Sequence, residues 1–226
     1  MASIRTKAKI QFIEEILKVF TDFSHSGKGY LEYLKSPKGG DEFDIRDYLI
    51  KPIFLKLGYE QSDLYNEVTI NAGEVDLNIG EASLKPFITV ETKSTNSRDL
   101  KSARVDQLFP YIKELHTPIG VVTNGILFEI WEQKERSTSQ VVALNFSKII
   151  SDYLKGGIAS ISDDDFIRIG KLSYLKKELL SIKEEDLYKI PEIDVSEATA
   201  FKNLLTDIAG TMEVVKAAVE ETFSIR

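Results

Sequence analysis

The stretch Phe87-Ile88-Thr89-Val90-Glu91-Thr92-Lys93 decides the fold, because an apolar, β-branched run ends there in two charged residues. A short run of this composition predicts a buried strand. Residues two apart in a strand point to the same side, so Glu91 and Lys93 are expected to project together. The sequence therefore predicts a charged pair at the end of a buried strand.

Two further short runs, residues 65–70 and 75–79, precede this strand and are rich in β-branched residues. Asn71-Ala72-Gly73 separates them and favours a hairpin turn, because Asn and Gly tolerate positive φ. Asp76 interrupts the second run. If residues 75–79 pair with residues 87–92, Asp76 can lie next to Glu91.

Two neighbouring carboxylates repel each other, and one of them is neutralised unless a cation lies between them. Ligands that are all oxygen atoms favour Mg²⁺ or Mn²⁺. A lysine beside such a cation can orient a water molecule or stabilise charge as a phosphodiester is attacked. Asp76, Glu91 and Lys93 are therefore candidates for a metal-dependent hydrolytic site.

The acid-x-Lys spacing alone carries little information, because it occurs three times in a chain with 36 acidic residues. The copies at 99–101 and 132–134 are typical of solvated charge pairs. Only Glu91-Thr92-Lys93 ends a strongly apolar strand, follows a strand that contains Asp, and precedes an amphipathic helix.

That helix is predicted for residues 98–116, with a kink at Pro110. Arg104, Gln107 and Tyr111 lie at i, i+3 and i+7, on one helix face. Gln and Tyr can hydrogen-bond to a nucleic acid, and Arg can neutralise a phosphate. Without the neighbouring site, Gln107 and Tyr111 would be ordinary residues at the boundary of the core.

The remaining elements follow from the same periodicities and predict an α/β fold with a mixed sheet. Pro52 should kink the second helix or split off its last turn, and Gly58 should end it. Asn124-Gly125 is the strongest short hairpin signal in the chain. Helices are predicted for residues 4–23, 41–58, 172–190 and 197–223 and for a segment starting at Asp163, and strands for residues 119–123, 126–132 and 141–144.

Composition excludes several classes of function. The 226 residues include no Cys, which rules out disulfides, thiolate zinc sites, iron–sulfur clusters and thiol catalysis. No phosphate-binding, dinucleotide-binding or methyltransferase motif is present. His25 and His116 lie in a polar loop and at a helix end, which disfavours a catalytic triad. Without a long apolar stretch, we expect a soluble, cytoplasmic protein.

The net charge of −7 opposes nucleic-acid binding at first sight, because that affinity depends on Lys and Arg. The charge is unevenly distributed, however. Residues 93–104 contain four cations and one acid, Asp99. The cations are Lys93, Arg98, Lys101 and Arg104. The sequence therefore predicts weak, salt-sensitive binding of DNA beside the candidate site.

With these residues the chain resembles the PD-(D/E)xK nuclease superfamily, which has the restriction-endonuclease-like fold. It is most similar to the nuclease domains of Type I restriction R subunits and of fused Type IIG restriction–modification enzymes. The resemblance covers about residues 40–135 and departs from the pattern where Val75 replaces the Pro that often precedes the motif Asp. The matching residues are Asp76, Glu91-Thr92-Lys93, Gln107 and Tyr111, and Glu42 as the acid of the first helix, with Glu67 and Glu74 as competitors.

The resemblance implies a Mg²⁺-dependent endonuclease that hydrolyses DNA phosphodiesters, with Mn²⁺ as a substitute metal. Asp76, Glu91 and the Thr92 carbonyl would bind the metal, and Lys93 would position or activate the attacking water. Glu42 would bind a second metal or orient Lys93. Gln107 and Tyr111 would contact DNA or brace the site, and Arg98, Lys101 and Arg104 are further candidates for DNA contacts.

The same resemblance implies a nuclease domain at residues 1–150 and a helical extension or connector at residues 151–226. Expected partners are double-stranded DNA and methyltransferase, specificity or translocase modules in the same or another chain. Transient dimerisation on DNA is expected because cutting both strands usually needs a second active site. The alternatives are a catalytically inactive module of this fold that binds DNA or assembles a complex, and an acidic helical scaffold, which leaves the strand acids unexplained.

Overall fold

A six-stranded mixed sheet forms the centre of the fold, as the sequence predicts. The structure is a computed structural model that describes residues 5–35, 40–97, 100–134 and 137–180. Neighbouring strands follow the order β3-β4-β5-β6-β7-β8 and have these bounds: β3 Leu64–Ile70, β4 Gly73–Ala82, β5 Lys85–Thr92, β6 Ile119–Thr123, β7 Leu127–Lys134 and β8 Ser137–Asn145. Only β5 and β6 pair in parallel. Their parallel pairing requires a crossover, and a helical segment between them provides it.

Both predicted hairpins are present. β3 and β4 pair antiparallel on either side of Asn71-Ala72, and Asn124-Gly125 lies between the antiparallel strands β6 and β7. The side chain of Asn124 stabilises the second turn, because its Oδ1 accepts hydrogen bonds from the amides of Ile126 and Leu127 at 3.0 and 2.8 Å. Pro86 lies within β5 opposite Gly80, where the pairing with β4 is irregular.

Helices surround the sheet. They are α1 Lys7–Thr21, α2 Tyr30–Leu34, α3 Glu42–Ile45, α4 Lys51–Lys56, α5 Phe109–Glu114, α6 Phe146–Gly156, α7 Asp163–Gly170 and α8 Lys177–Leu180. Short 3₁₀ segments cover Gln61–Asp63, Gly157–Ser160 and Lys171–Leu175. The loop expected near residue 25 contains a small hairpin of β1 Ser24–His25 and β2 Lys28–Gly29. The helix predicted at Asp163 is confirmed, whereas the one predicted for 197–223 lies outside the described residues.

Both helices that contain a proline widen into a π-helical turn just before it. Arg46–Ile50 is π-helical and leads into α4, where Pro52 lies in the first turn. Ala103–Leu108 is π-helical and leads into α5, where Pro110 occupies the same place. Proline has no amide hydrogen, and its ring collides with the carbonyl four residues earlier, so a wider turn relieves the collision. The kinks predicted at the two prolines therefore take the form of π turns.

The two faces of the sheet contact different helices. The larger core packs α1, α4, α6 and α7 against residues such as Ile88 and Val90 of β5. A smaller cluster on the opposite face consists of Leu100, Ala103, Leu108, Ile112 and Val122. Glu91 pairs with Val122 across β5 and β6, so its side chain lies on the face of the smaller cluster.

Helical residues after position 150 share the larger core, to which Phe166 and Leu172 contribute. The compact unit that includes them runs from Met1 to Ser181. The predicted extension over 151–226 lies mostly outside the described residues and stays a prediction. Among the described helices, none has the length and apolar character needed to cross a membrane.

Candidate active site

The candidate site lies where β4 and β5 run side by side. Leu77 pairs with Val90, and the same antiparallel register continued by one residue places Asp76 opposite Glu91. Asp76 is fixed by Thr92, whose amide and hydroxyl donate hydrogen bonds to Asp76 Oδ2 at 2.6 and 2.8 Å. The structure thus brings the predicted residues of the two strands together.

Glu91 is a buried carboxyl group that has one oxygen without a hydrogen-bond partner. The residue is 1% exposed. Its Oε1 lies 2.7 Å from Lys93 Nζ, whereas Oε2 is buried and unpaired. Burial, followed by repulsion from Asp76, raises the pKa of Glu91 to about 7, although Lys93 acts in the opposite direction. A second cation beside Glu91 would stabilise the ionised form of this carboxyl group.

Lys93 lies between two acids from different elements. Its side chain is 19% exposed, and Nζ lies 2.7 Å from Glu91 Oε1 and 3.7 Å from Glu42 Oε1. Burial disfavours the ammonium group, but the hydrogen bond and charge of Glu91, together with the charges of Glu42 and Asp76, outweigh burial and raise the pKa of Lys93. Lys93 is therefore a cation at neutral pH in the metal-free protein.

Glu42 reaches the site from the first turn of α3. Asp41 caps this helix by accepting a hydrogen bond from the Asp44 amide at 2.9 Å. Two hydrogen bonds join Gly40 to the segment after β5: the Thr95 amide donates to the Gly40 carbonyl at 3.0 Å, and the Gly40 amide donates to Thr95 Oγ1 at 2.8 Å. These contacts hold the start of α3 beside Lys93.

The competitors of Glu42 have other surroundings. Glu67 forms an ion pair with Arg46, and Glu74 is an exposed residue of β4. Glu42 is the one among these three acids for which the structure records an ion pair with Lys93. Its role in catalysis stays a prediction.

Tyr111 lies close enough to Glu91 and Asp76 to feel their charges, and its hydroxyl group forms a hydrogen bond with the side chain of Gln107. Tyr111 is 4% exposed, and burial together with the charge of Glu91 raises its pKa, whereas the side chain of Gln107 lowers it. The Tyr111 ring covers Gly73 in the β3–β4 turn, where an added Cβ would lie 2.9 Å from the Tyr111 hydroxyl oxygen. Of the two predicted roles for Tyr111, this packing favours bracing the site.

Glu114, one turn after Tyr111, anchors the same hairpin. Its two carboxylate oxygens accept hydrogen bonds from the amides of Asn71 and Ala72, both at 2.8 Å, and from Asn71 Nδ2 at 3.0 Å. The crossover helix therefore holds the β3–β4 hairpin from its tip. Sequence reasoning missed Glu114, Gly40 and Thr95, because each acts through a turn contact that has no periodic signature.

Among the predicted cationic residues of the crossover segment, Arg104 forms an ion pair with an acid of β7. Arg104 Nη1 lies 2.9 Å from Glu129 Oε2, and its guanidinium group stacks 4.7 Å from the centre of the Trp131 ring. Lys101 is exposed, and Arg98 lies outside the described residues. The π turn at Ala103–Leu108 also changes the angular spacing expected for Arg104, Gln107 and Tyr111. DNA contacts by these residues stay predictions.

Comparison with known proteins gives one match. The family described as Type I restriction enzyme R protein N terminus covers residues 41–145. This segment, a little under half of the chain, is similar to the N-terminal region of Type I restriction R proteins. Neither a curated protein nor a solved structure matches the chain. The family match confirms the predicted resemblance, and the matched segment includes every candidate residue from Glu42 to Tyr111.

The oxygen donor atoms of the matched segment fit a hard divalent cation. Asp76 and Glu91 contribute oxygen atoms, and one oxygen of Glu91 is buried without a partner. Within the described ranges, no three or more His, Asp or Glu side chains come close enough to hold a metal ion by themselves. A metal here would therefore take the two carboxylates and complete its coordination with backbone oxygen, such as the Thr92 carbonyl, and with water.

Proposed function

We propose that this chain is the DNA-cleaving module of a restriction system and hydrolyses phosphodiester bonds with the help of Mg²⁺. The observation that carries the proposal is the unpaired, buried oxygen of Glu91 beside Asp76 and Lys93. A buried acid with this environment is costly for a structural role, and such acids are typical of functional sites. The family match supports the restriction system as the setting.

Each residue has a distinct part in the proposed reaction. Asp76, Glu91 and the carbonyl of Thr92 would hold the metal. Bound Mg²⁺ would supply a positive charge that stabilises the phosphate as it is attacked. Lys93 contributes a second, fixed positive charge next to the reacting phosphate. Its raised pKa makes it a donor that orients the attacking water rather than a base that deprotonates it.

Glu42 completes this arrangement through its ion pair with Lys93 at 3.7 Å. Its side chain is 44% exposed, so solvent screens part of its charge. Glu42 is therefore better suited to orient Lys93 than to hold a metal alone. The partners and the transient dimer expected from the resemblance remain part of the proposal.

The rival function, an inactive module for DNA binding or assembly, differs in one respect that can be tested. In an inactive module, the buried carboxylate of Glu91 beside Asp76 would lower the stability of the metal-free fold without serving a function. Metal-dependent catalysis requires these neighbouring carboxylates, because their negative charge attracts the metal. The observation at Glu91 therefore favours the active form.

Nicking of supercoiled plasmid DNA tests the proposal. The full chain is compared with Asp76→Asn and Lys93→Met in Mg²⁺, in Mn²⁺ and in EDTA. We expect metal-dependent nicking by the wild type and a loss of about 100-fold or more in each variant, the size typical for removal of a group that stabilises transition-state charge.

The matched control is Lys134→Met, because Lys134 forms an exposed pair with Glu132 at 3.2 Å in another acid-x-Lys copy. It should nick DNA at the wild-type rate. Equal nicking by all four proteins would refute the assignment. A wild type that binds metal but does not nick would favour the inactive module.

A further inference from the structure

Arg46 is a buried cation at the start of the π turn that follows α3. Its side chain is 7% exposed. A buried guanidinium group is costly unless acids surround it. Nε lies 3.0 Å from Asp47 Oδ1, and Nη1 lies 3.0 Å from Glu67 Oε1. The guanidinium group also lies 5.0 Å from the centre of the Phe43 ring.

Glu67, the distant partner, has a backbone conformation that is unusual for a strand residue. Its φ is 52°, although it lies in the middle of β3. Non-glycine residues rarely adopt this conformation, which persists only where the surrounding structure enforces it. The ion pair with Arg46 is a contact of the Glu67 side chain that can hold the residue there.

The place of Glu67 in the sheet connects it to the candidate site. Asn66 pairs with Leu77, and Val68 pairs with Val75, so the register places Glu67 opposite Asp76. The pairs on both sides are formed, but Glu67 and Asp76 are not paired. The ladder is thus interrupted at the strand position of a proposed metal ligand.

From this geometry we propose that Arg46 and Glu67 are positioning residues for the active site. The inference rests on the proposed function and deepens it. The Arg46–Glu67 ion pair joins the helix that begins at Glu42 to the strand beside Asp76. It fixes the distance between two elements that bring separate acids to the site, and it holds β3 in the conformation that leaves Asp76 directed at Thr92. Neither residue contacts the reacting groups.

The competing explanation is that the Arg46–Glu67 ion pair only stabilises the fold. The unfolding temperature and the state of Asp76 in folded molecules distinguish the two explanations. A pair that only stabilises the fold affects the unfolding temperature but leaves the site of the folded molecules unchanged. A positioning pair changes Asp76 in molecules that remain folded. The Thr92 amide reports on Asp76 directly, because it donates its hydrogen bond to Asp76 Oδ2.

The experiment compares amide hydrogen exchange in the full, metal-free chain with and without Glu67→Gln. We expect the Thr92 amide to exchange about tenfold faster in the variant. The Lys93 amide, bonded to the Thr123 carbonyl at 2.8 Å, is the internal reference and should not change. Binding of Mn²⁺, measured by calorimetry, should weaken about tenfold, the lower end of the effect seen when groups that orient ligands are removed.

Two further variants control for lost charge and for backbone conformation. Asp63→Asn removes another ion pair near the start of β3, with Lys177 at 2.7 Å, and should leave the Thr92 amide unchanged. Glycine tolerates the φ of 52° found at residue 67 but has no side chain to pair with Arg46. In Glu67→Gly, the Thr92 amide should therefore lose its protection from exchange, as it does in Glu67→Gln. Wild-type protection in Glu67→Gly would show that the backbone alone is sufficient and would overturn the role of the ion pair.

The outcomes separate the two proposals. Wild-type exchange at Thr92 and wild-type Mn²⁺ affinity in Glu67→Gln would overturn the positioning role and leave the proposed function intact. A wild type that binds no Mn²⁺ would overturn the proposed function, whereas faster Thr92 exchange in Glu67→Gln would still support the ion pair as the device that positions Asp76.

Discussion

Replacing Glu91 by Gln should remove most of a pH-dependent loss of stability in the metal-free protein. The folded-state pKa of Glu91 is about 7, and the ordinary value is 4.5. Between these values the folded state binds more protons than the unfolded state, so the free energy of unfolding falls as the pH rises. The penalty is absent below about pH 4.5 and complete above about pH 7. The difference corresponds to about 3 kcal/mol.

Urea unfolding in EDTA at pH 4.5 and pH 8 measures this effect. Relative to Glu91→Gln, the wild type should lose about 3 kcal/mol between the two pH values. Glu132→Gln, a change at a more exposed acid, should follow the wild type. Parallel pH dependence in the wild type and Glu91→Gln would refute the reasoning, because it would show that folding does not raise the pKa of Glu91.

Three other changes test the surroundings of the site. Gly73→Ala should destabilise the fold by about 1–2 kcal/mol in urea unfolding, because the new methyl group meets Tyr111 and φ is 141°; an unchanged midpoint would contradict this packing. Glu114→Ala should cost about 1–2 kcal/mol in the same assay, since the β3–β4 turn loses three hydrogen bonds, and a neutral effect would count against the anchor. Lys93→Met should raise the pKa of Glu91 above about 7 in an NMR titration, because it removes the cation that lowers it; a fall would reverse the assigned sign.

The sequence predicted the parts of the fold that depend on periodicity. Alternation in β4 and β5 placed Asp76 beside Glu91, and the same alternation placed Glu91 and Lys93 together. Asn124-Gly125 predicted its turn because few residues accept positive φ. These features depend on near neighbours in the chain, so a single sequence is sufficient to find them.

Features that depend on distant contacts were not predictable in the same way. The conformation of Glu67 is set by Arg46, which lies 21 residues earlier and becomes a neighbour only after folding. Arg104 was expected on the same face as Tyr111, but a π turn intervenes and Glu129 lies within reach of its guanidinium group. The buried environment of Glu91 likewise arises from packing between the sheet and the crossover helix.

Binding of Mn²⁺ to the full chain at neutral pH tests the central claim most directly, because it separates the residues that hold the metal from the residue that supplies charge. We predict saturable binding by the wild type, its loss in Asp76→Asn, and its retention in Lys93→Met, which should nevertheless not cleave DNA. All three proteins should be folded in EDTA at the temperature of the binding assay. Equal Mn²⁺ affinity in the wild type and Asp76→Asn would contradict the assignment of this site as a metal centre.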